Sequence, residues 1–186
     1  MFNFAVHRKM LQLKNGTRVL LRPMVAEDTD KLIALFREIP QSEADFLKDN
    51  VRDPEIIRRW TSEIDFTRVL PLVACVEDKI VGDCTLHLGQ GASRHTGEVR
   101  ILLNPEFRAL GLGSAMLLET EEIARRLGLM FLKGEVLLEQ IGLVKAFRRL
   151  GFDLRCTLDD YFIAPDNTTH DVTILIKRLI KVEYVF

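Results

Sequence analysis

A chain of 186 residues, 47% hydrophobic and 28% charged, has the make-up of a globular protein, and at that length it buries well over half of its unfolded surface. Its formal net charge of −1 excludes long-range attraction to nucleic acid or to an anionic membrane. No apolar run reaches membrane-spanning length, the stretch from Met1 to Leu13 lacks the uninterrupted apolar core of a signal peptide, and neither the cysteines nor the histidines show metal-ligand spacing. Cys75, Cys84 and Cys156 are therefore expected as buried, reduced thiols of a cytoplasmic protein, and residues 1–186 as a single domain.

In chain order, 17–22 (TRVLLR) reads as a strand closed by Pro23. Glu27, Asp28 and Asp30 place acid in the first turn of a helix whose apolar side is Leu32, Ile33, Leu35, Phe36 and Ile39, and Pro40 ends it. Residues 41–51 are polar around Phe46 and Leu47, a short helix or a loop. Asp53-Pro54 gives an N-cap and a first-turn proline for a helix running to about Ser62. Residues 70–76 and 80–88 are strands of a hairpin turning at Glu77-Asp78-Lys79. A strand at 97–103 then meets Asn104-Pro105. A helix with Glu121/Arg125 and Glu122/Arg126 pairs follows and stops at Gly128. The strand at 130–138, joined to its predecessor through that helix, should lie parallel to it. A helix at 141–150 closes at Gly151, and strands at 152–160 and 171–180 flank a turn at Pro165-Asp166-Asn167.

The most informative stretch is Arg108-Ala109-Leu110-Gly111-Leu112-Gly113-Ser114, between a strand and a helix. Glycines there permit a tight turn, and a helix start leaves unpaired N–H groups with the dipole behind them, which makes a phosphate or pyrophosphate site. The nucleotide P-loop needs a Lys-Ser/Thr pair after its last glycine, and the dinucleotide fingerprint needs a small residue where Met116 stands; neither fits. The Arg-x-x-Gly-x-Gly sequence after a strand and Asn-Pro resembles the coenzyme-A pyrophosphate loop of the GNAT superfamily of N-acetyltransferases. The element order matches that family over nearly the whole chain. The resemblance implies a mixed α/β fold with a mostly antiparallel sheet, whose central parallel pair, here 97–103 and 130–138, splays to admit the pantetheine arm.

The same resemblance implies acetyl-CoA as co-substrate, no metal, and a primary amine of unknown identity as acceptor; a homodimer is compatible with it. Backbone N–H groups of Ile101, Leu102 and Leu103 would polarise the thioester, and Arg108, Ala109, Leu110, Gly111, Leu112, Gly113 and Ser114 would hold the pyrophosphate. Gln140 stands where the family commonly has Asn and can donate to a pantetheine carbonyl. Phe147 stands where it often has the Tyr that protonates the leaving thiolate, ahead of Gly151-Phe152. That loss motivates an alternative, a non-catalytic acyl-CoA-binding or regulatory domain. Tyr161 is a substitute donor or merely a rim aromatic. Lys145, Arg148 and Arg149 either meet the adenosine phosphate or form a solvated basic face.

Glu98 and Glu135 are the candidate general bases, with burial expected to raise their pKa values; water is the remaining choice. The strand Lys133-Gly134-Glu135-Val136-Leu137 with Gln140 looks like Pat-type bacterial protein lysine acetyltransferases and N-terminal protein acetyltransferases. The acids Glu43, Asp45, Asp49 and Asp53, diluted by Arg52, Arg58 and Arg59, would favour a cationic acceptor.

Overall fold

The computed structural model describes residues 2–180. Among these residues, eight strands form one sheet in the order β1-β2-β3-β4-β5-β6-β8-β7. These are β1 (Lys9–Gln12), β2 (Arg18–Pro23), β3 (Val69–Val76), β4 (Lys79–Leu88), β5 (Thr96–Leu103), β6 (Phe131–Leu137), β7 (Asp153–Ile163) and β8 (Thr169–Arg178). Every neighbouring pair is antiparallel except β5 and β6. This is the expected mixed α/β plan. The strand β1 has no counterpart in the sequence reading, because its exposed Lys-Met-Leu-Gln run lacks an alternating apolar face.

Among the described residues the α-helices are α1 (Thr29–Glu38), α2 (Gln41–Ala44), α3 (Pro54–Ser62), α4 (Leu112–Arg126) and α5 (Ile141–Arg149). Among the described residues, none is long and apolar enough to cross a membrane. α4 and α5 cover one face of the sheet, where Met116, Leu117, Ile123 and Phe147 meet Val99, Leu132 and Val136. α1 and α3 cover the other, where Leu32, Leu35, Phe36 and Ile57 meet Val73, Cys75 and Ile80. Local signals fix these helices: the Asp53 side chain accepts the Glu55 N–H at 2.9 Å ahead of Pro54, and Arg52 donates to the last carbonyls of α1, those of Phe36 and Arg37 and the following Ile39. Cys75 and Cys84 are buried as expected. Cys156 is exposed, a correction that follows from its place on the edge strand β7, which turns most of its length to solvent.

Phe147 is 1% exposed, beneath Gly134 of β6 and edge-on to Phe152 at 4.9 Å. A Cβ on Gly134 would lie 2.7 Å from Phe147 Cε1. A buried ring cannot swing aside as a flexible side chain does. Gly134→Ala is therefore expected to cost about 1–3 kcal/mol, the usual range for overpacking. A thermal or urea midpoint equal to that of the parent protein would show that ring and strand separate freely.

Candidate functional site

The parallel pair comes apart where the sequence expectation placed the pantetheine arm. β5 and β6 are in register only at Thr96/Phe131, Gly97/Leu132 and Glu98/Lys133. Beyond that point β5 stays paired to β4 as far as Leu103, and β6 stays paired to β8 as far as Leu137, so the two facing edges diverge. Asn104 N–H donates to Val81 O of β4 at 3.0 Å, and strand alternation then turns the N–H and C=O groups of Ile101 and Leu103 toward the gap and those of Leu102 toward β4. Of the three expected thioester donors, Ile101 and Leu103 thus face the gap. Leu102 does not; its side chain lies on the α1/α3 face instead.

The glycine turn closes the wide end of the gap. Gly111 has φ +94° and is the N-cap of α4, and Ala109 is also left-handed at φ 59°. Among the described residues, the backbone N–H groups from Ala109 to Ser114 donate to no protein acceptor; the next one, Ala115, donates to Gly111 O at 3.1 Å. Gly113 acts differently from Gly111: a Cβ there would stand 3.1 Å from Leu103 Cδ1, so its smallness seats the first turn of α4 against the end of β5. A left-handed turn, free N–H groups and a helix start fit a pyrophosphate. The Arg108 guanidinium is engaged elsewhere, donating to Glu43 at 2.7 and 2.8 Å and to Leu103 O at 3.0 Å. It ties the loop to α2 and to the end of β5. Gln140 caps α5 just past β6, and its side chain has no hydrogen bond among the described residues. Phe147 lies in the core rather than at the gap, and Tyr161 is exposed on β7.

Glu98 and Glu135 project from one face of the sheet at the point where the strands part. Lys48 Nζ is 2.8 Å from each; Lys133 Nζ is 2.9 Å from Glu98 and 2.7 Å from Glu135; Arg100 Nε is 2.7 Å from Glu98. Burial alone would raise both pKa values, but hydrogen bonds from Lys48, Lys133 and Arg100 outweigh it for Glu98 and hold that carboxyl down at about 2. Glu135 is also lowered, burial being opposed by Lys133 and Lys48. The expected upward shift is therefore corrected, because three cations converge on two carboxylates.

Beside this cluster, α1, α3 and the segment between α2 and α3 roof a cavity of about 450 Å³ over β3, β4 and β5. Its walls include Phe36 and Trp60, which pack edge-on at 5.9 Å. Asp83, Thr85 and His87 of β4 reach it from the sheet. Asp83 Oδ1 is shut off from solvent and has no hydrogen-bond partner among the described residues; burial pushes its carboxyl up to about 7. His87 lies 2.9 Å from Thr85 Oγ1, and burial, helped by Arg100, pushes its imidazole down to about 4. The sequence reading missed these residues. Their signal was polar side chains at period two between the buried Cys84 and Leu86, on a face a half-buried strand turns one way.

The acidic cluster expected at the acceptor side is largely consumed. Glu43 pairs with Arg108, Asp45 accepts from Gln41 Nε2 at 2.5 Å, and Asp53 caps α3; Asp49 alone of the four lines the cavity.

Solved structures share this fold. The GNAT domain of S. lividans PAT is 20% identical, with 92% of this chain and 96% of that one covered at a TM-score of 0.76. Ribosomal-protein-S5-alanine acetyltransferase from Vibrio fischeri is 14% identical, with 91% and 96% covered at 0.78. A Salmonella typhimurium protein solved with its cofactor acetyl-CoA is 17% identical, with 88% and 95% covered at 0.73. The model of the acetyltransferase (GNAT) family matches residues 34–152, more than half of the chain, and that stretch holds the splayed strands and the glycine turn. The chain belongs to the GNAT family of acetyltransferases.

Proposed function

We propose that the protein moves the acetyl group of acetyl-CoA to a primary amine by direct attack of the amine on the thioester. The observation that carries this reading is the gap between β5 and β6, which ends on the unpartnered N–H groups of Ala109 to Ser114. Those groups would hold the pyrophosphate, and the N–H groups of Ile101 and Leu103 would meet the developing oxyanion of the thioester carbonyl. Gln140, the N-cap of α5 just past β6, would donate to a pantetheine carbonyl.

Attack forms the C–N bond and pushes the carbonyl electrons onto oxygen; collapse breaks the C–S bond, and the electron pair leaves on sulfur. A thiol with a reference pKa of about 8.5 leaves readily as thiolate, so the phenol missing at Phe147 is dispensable. Protein lysine is one primary amine the reading admits, supported by the Pat-like strand at 133–137; in the fold, Lys133 and Glu135 of that strand are committed to ion pairs.

Calorimetry with acetyl-CoA, followed by release of free CoA in the presence of an amine panel, tests the reading. Binding and steady CoA release that depends on amine are expected. No binding at millimolar coenzyme, or binding with no amine-dependent release, would overturn it.

A further inference from the structure

We propose that the cavity over β4 and β5 is the acceptor pocket, that it takes a small primary amine with an aromatic or branched aliphatic body, and that Asp83 is the base that removes the ammonium proton. This rests on the transferase reading above and names its acceptor.

Position comes first. Asp83 is the register partner of Leu102, next to Ile101, and both of these β5 residues line the cavity. Neighbouring strands lie about 4.8 Å apart, so the Asp83 carboxylate sits one strand's width from the edge of β5 that faces the gap. A nitrogen poised about 3–3.5 Å from the thioester carbon, and about 2.6–3.2 Å from its base, spans a similar distance. An amine lying over β5 on the α1/α3 face would therefore touch both. Glu98 and Glu135 lie on that face too, but their oxygens already accept from Lys48, Lys133 and Arg100. Asp83 reaches the cavity from β4, and among the described residues no cation is paired with its carboxylate.

Basicity follows from burial. An alkylammonium has a pKa of about 10.4 and an ordinary Asp about 3.9, so proton transfer between them is uphill by more than six powers of ten. With the carboxyl of Asp83 pushed up to about 7, that penalty shrinks by about three powers of ten. The other charged groups at the cavity are His87 from β4, Arg100 from β5, Lys48 and Asp49 ahead of α3, and Glu63, Asp65 and Arg68 after it. Desolvation alone accounts for the shift of Asp83. His87 is neutral near pH 7, its imidazole being held down at about 4. In the step itself, the first ammonium proton passes to Asp83 and then to solvent. The C–N bond forms, the C–S bond breaks, and the excess proton on the new amide nitrogen passes to the departing thiolate, giving CoA thiol.

Shape sets the class of amine. A cavity of about 450 Å³ falls within the range of about 300–1,000 Å³ for small-molecule sites. Met24, Leu32, Phe36, Trp60, Ile64 and Leu102 supply apolar wall. Lys48 and Arg100 are already paired in the Glu98/Glu135 cluster, so discrimination against a polyamine rests on the apolar wall, which would leave a second ammonium desolvated and unpaired.

The experiment measures CoA release by the full chain with phenethylamine, isoamylamine, a lysine peptide and a polyamine, across pH 5.5 to 9. The apolar monoamines should exceed the other two in kcat/KM by about tenfold or more, the scale of discrimination an apolar pocket supplies. Their kcat should rise through about pH 7, as Asp83 ionises. Asp83→Asn, nearly isosteric, should lower kcat by about a hundredfold, at the low end for loss of a general base, and flatten that limb with acetyl-CoA affinity unchanged. If the lysine peptide or polyamine outperforms the monoamines, the acceptor class is overturned while the transferase reading stands. An Asp83→Asn variant with full turnover and an unaltered pH limb overturns the base. Should Asp83→Asn fail to fold, the parent protein decides: a kcat flat across pH 7 overturns the base, and a rise there supports it. No acetyl-CoA binding would sink the transferase reading, and this inference with it.

Discussion

Replacing Gly111 with valine is expected to weaken acetyl-CoA binding by about a hundredfold while moving the melting temperature by only a few degrees. Gly111 sits at φ +94°, where a β-branched residue is strained by about 1–3 kcal/mol. An N-cap ordinarily takes extended backbone, so relaxation to negative φ is open to this surface turn and removes most of that strain from the fold. The same relaxation re-aims the N–H groups on either side of Gly111. Hydrogen bonds to a charged group contribute about 1.5–3 kcal/mol each, and losing one or two corresponds to roughly a hundredfold in Kd. Space is not the obstacle, since the nearest atom to a Cβ at Gly111 is Lys14 Cε at 3.9 Å. Gly113→Ala serves as the contrast, because its Cβ meets only side-chain ends, Leu103 Cδ1 at 3.1 Å and Ile101 Cδ1 at 3.9 Å, and the backbone stays helical. Calorimetry beside thermal melts separates the effects. A melting temperature lowered by ten degrees or more, with affinity per folded molecule unchanged, would make the turn purely structural.

Glu98→Gln is expected to act on stability rather than on proton removal. The side chain is 15% exposed and bridges three cations, and its carboxyl is held at about 2 against a usual 4.5. The sign follows from that depression: the contribution is present above about pH 4.5 and is lost as pH falls through about 2. The shift converts to at most about 3 kcal/mol, and solvent screening of so open a network brings it to about 2 kcal/mol. For a chain of this length that is about 5 °C in Tm at pH 7. The gap between variant and parent protein should shrink as the melts are repeated at pH 4, 3 and 2. Acetyl-CoA affinity and the alkaline limb of the rate profile should persist. Equal melting temperatures at pH 7 would show that the network contributes nothing net. A loss of turnover of tenfold or more that abolishes the alkaline limb with the coenzyme still bound would return the role of base to Glu98.

Much of this protein was legible before folding. Asp53-Pro54, the Glu77 turn, Gly111, Gly128 and Gly151 are local punctuation whose meaning does not depend on distant residues, and each marks a boundary the fold retains. The helix between 97–103 and 130–138 demanded a parallel pair, since a crossover of that length cannot join adjacent antiparallel strands tightly, and β5 and β6 obey. The Arg-x-x-Gly-x-Gly sequence marked the turn, because a left-handed residue at a helix start is written in the chain itself. What the sequence left open was pairwise and three-dimensional. Glu98 and Glu135 lie far apart in sequence and read as independent bases; only the register of β5 against β6, and the approach of Lys48 from between α2 and α3, give them two shared cations, Lys48 and Lys133, and lower both. Arg108 reads in the sequence as a phosphate contact, and only the fold shows Glu43 and Leu103 O at its guanidinium. Asp83 passed unnoticed inside a strand because a carboxylate's character is set by what surrounds it. The roof that α1 and α3 build over β4, and that desolvates this carboxylate, is assembled from segments that no local pattern connects.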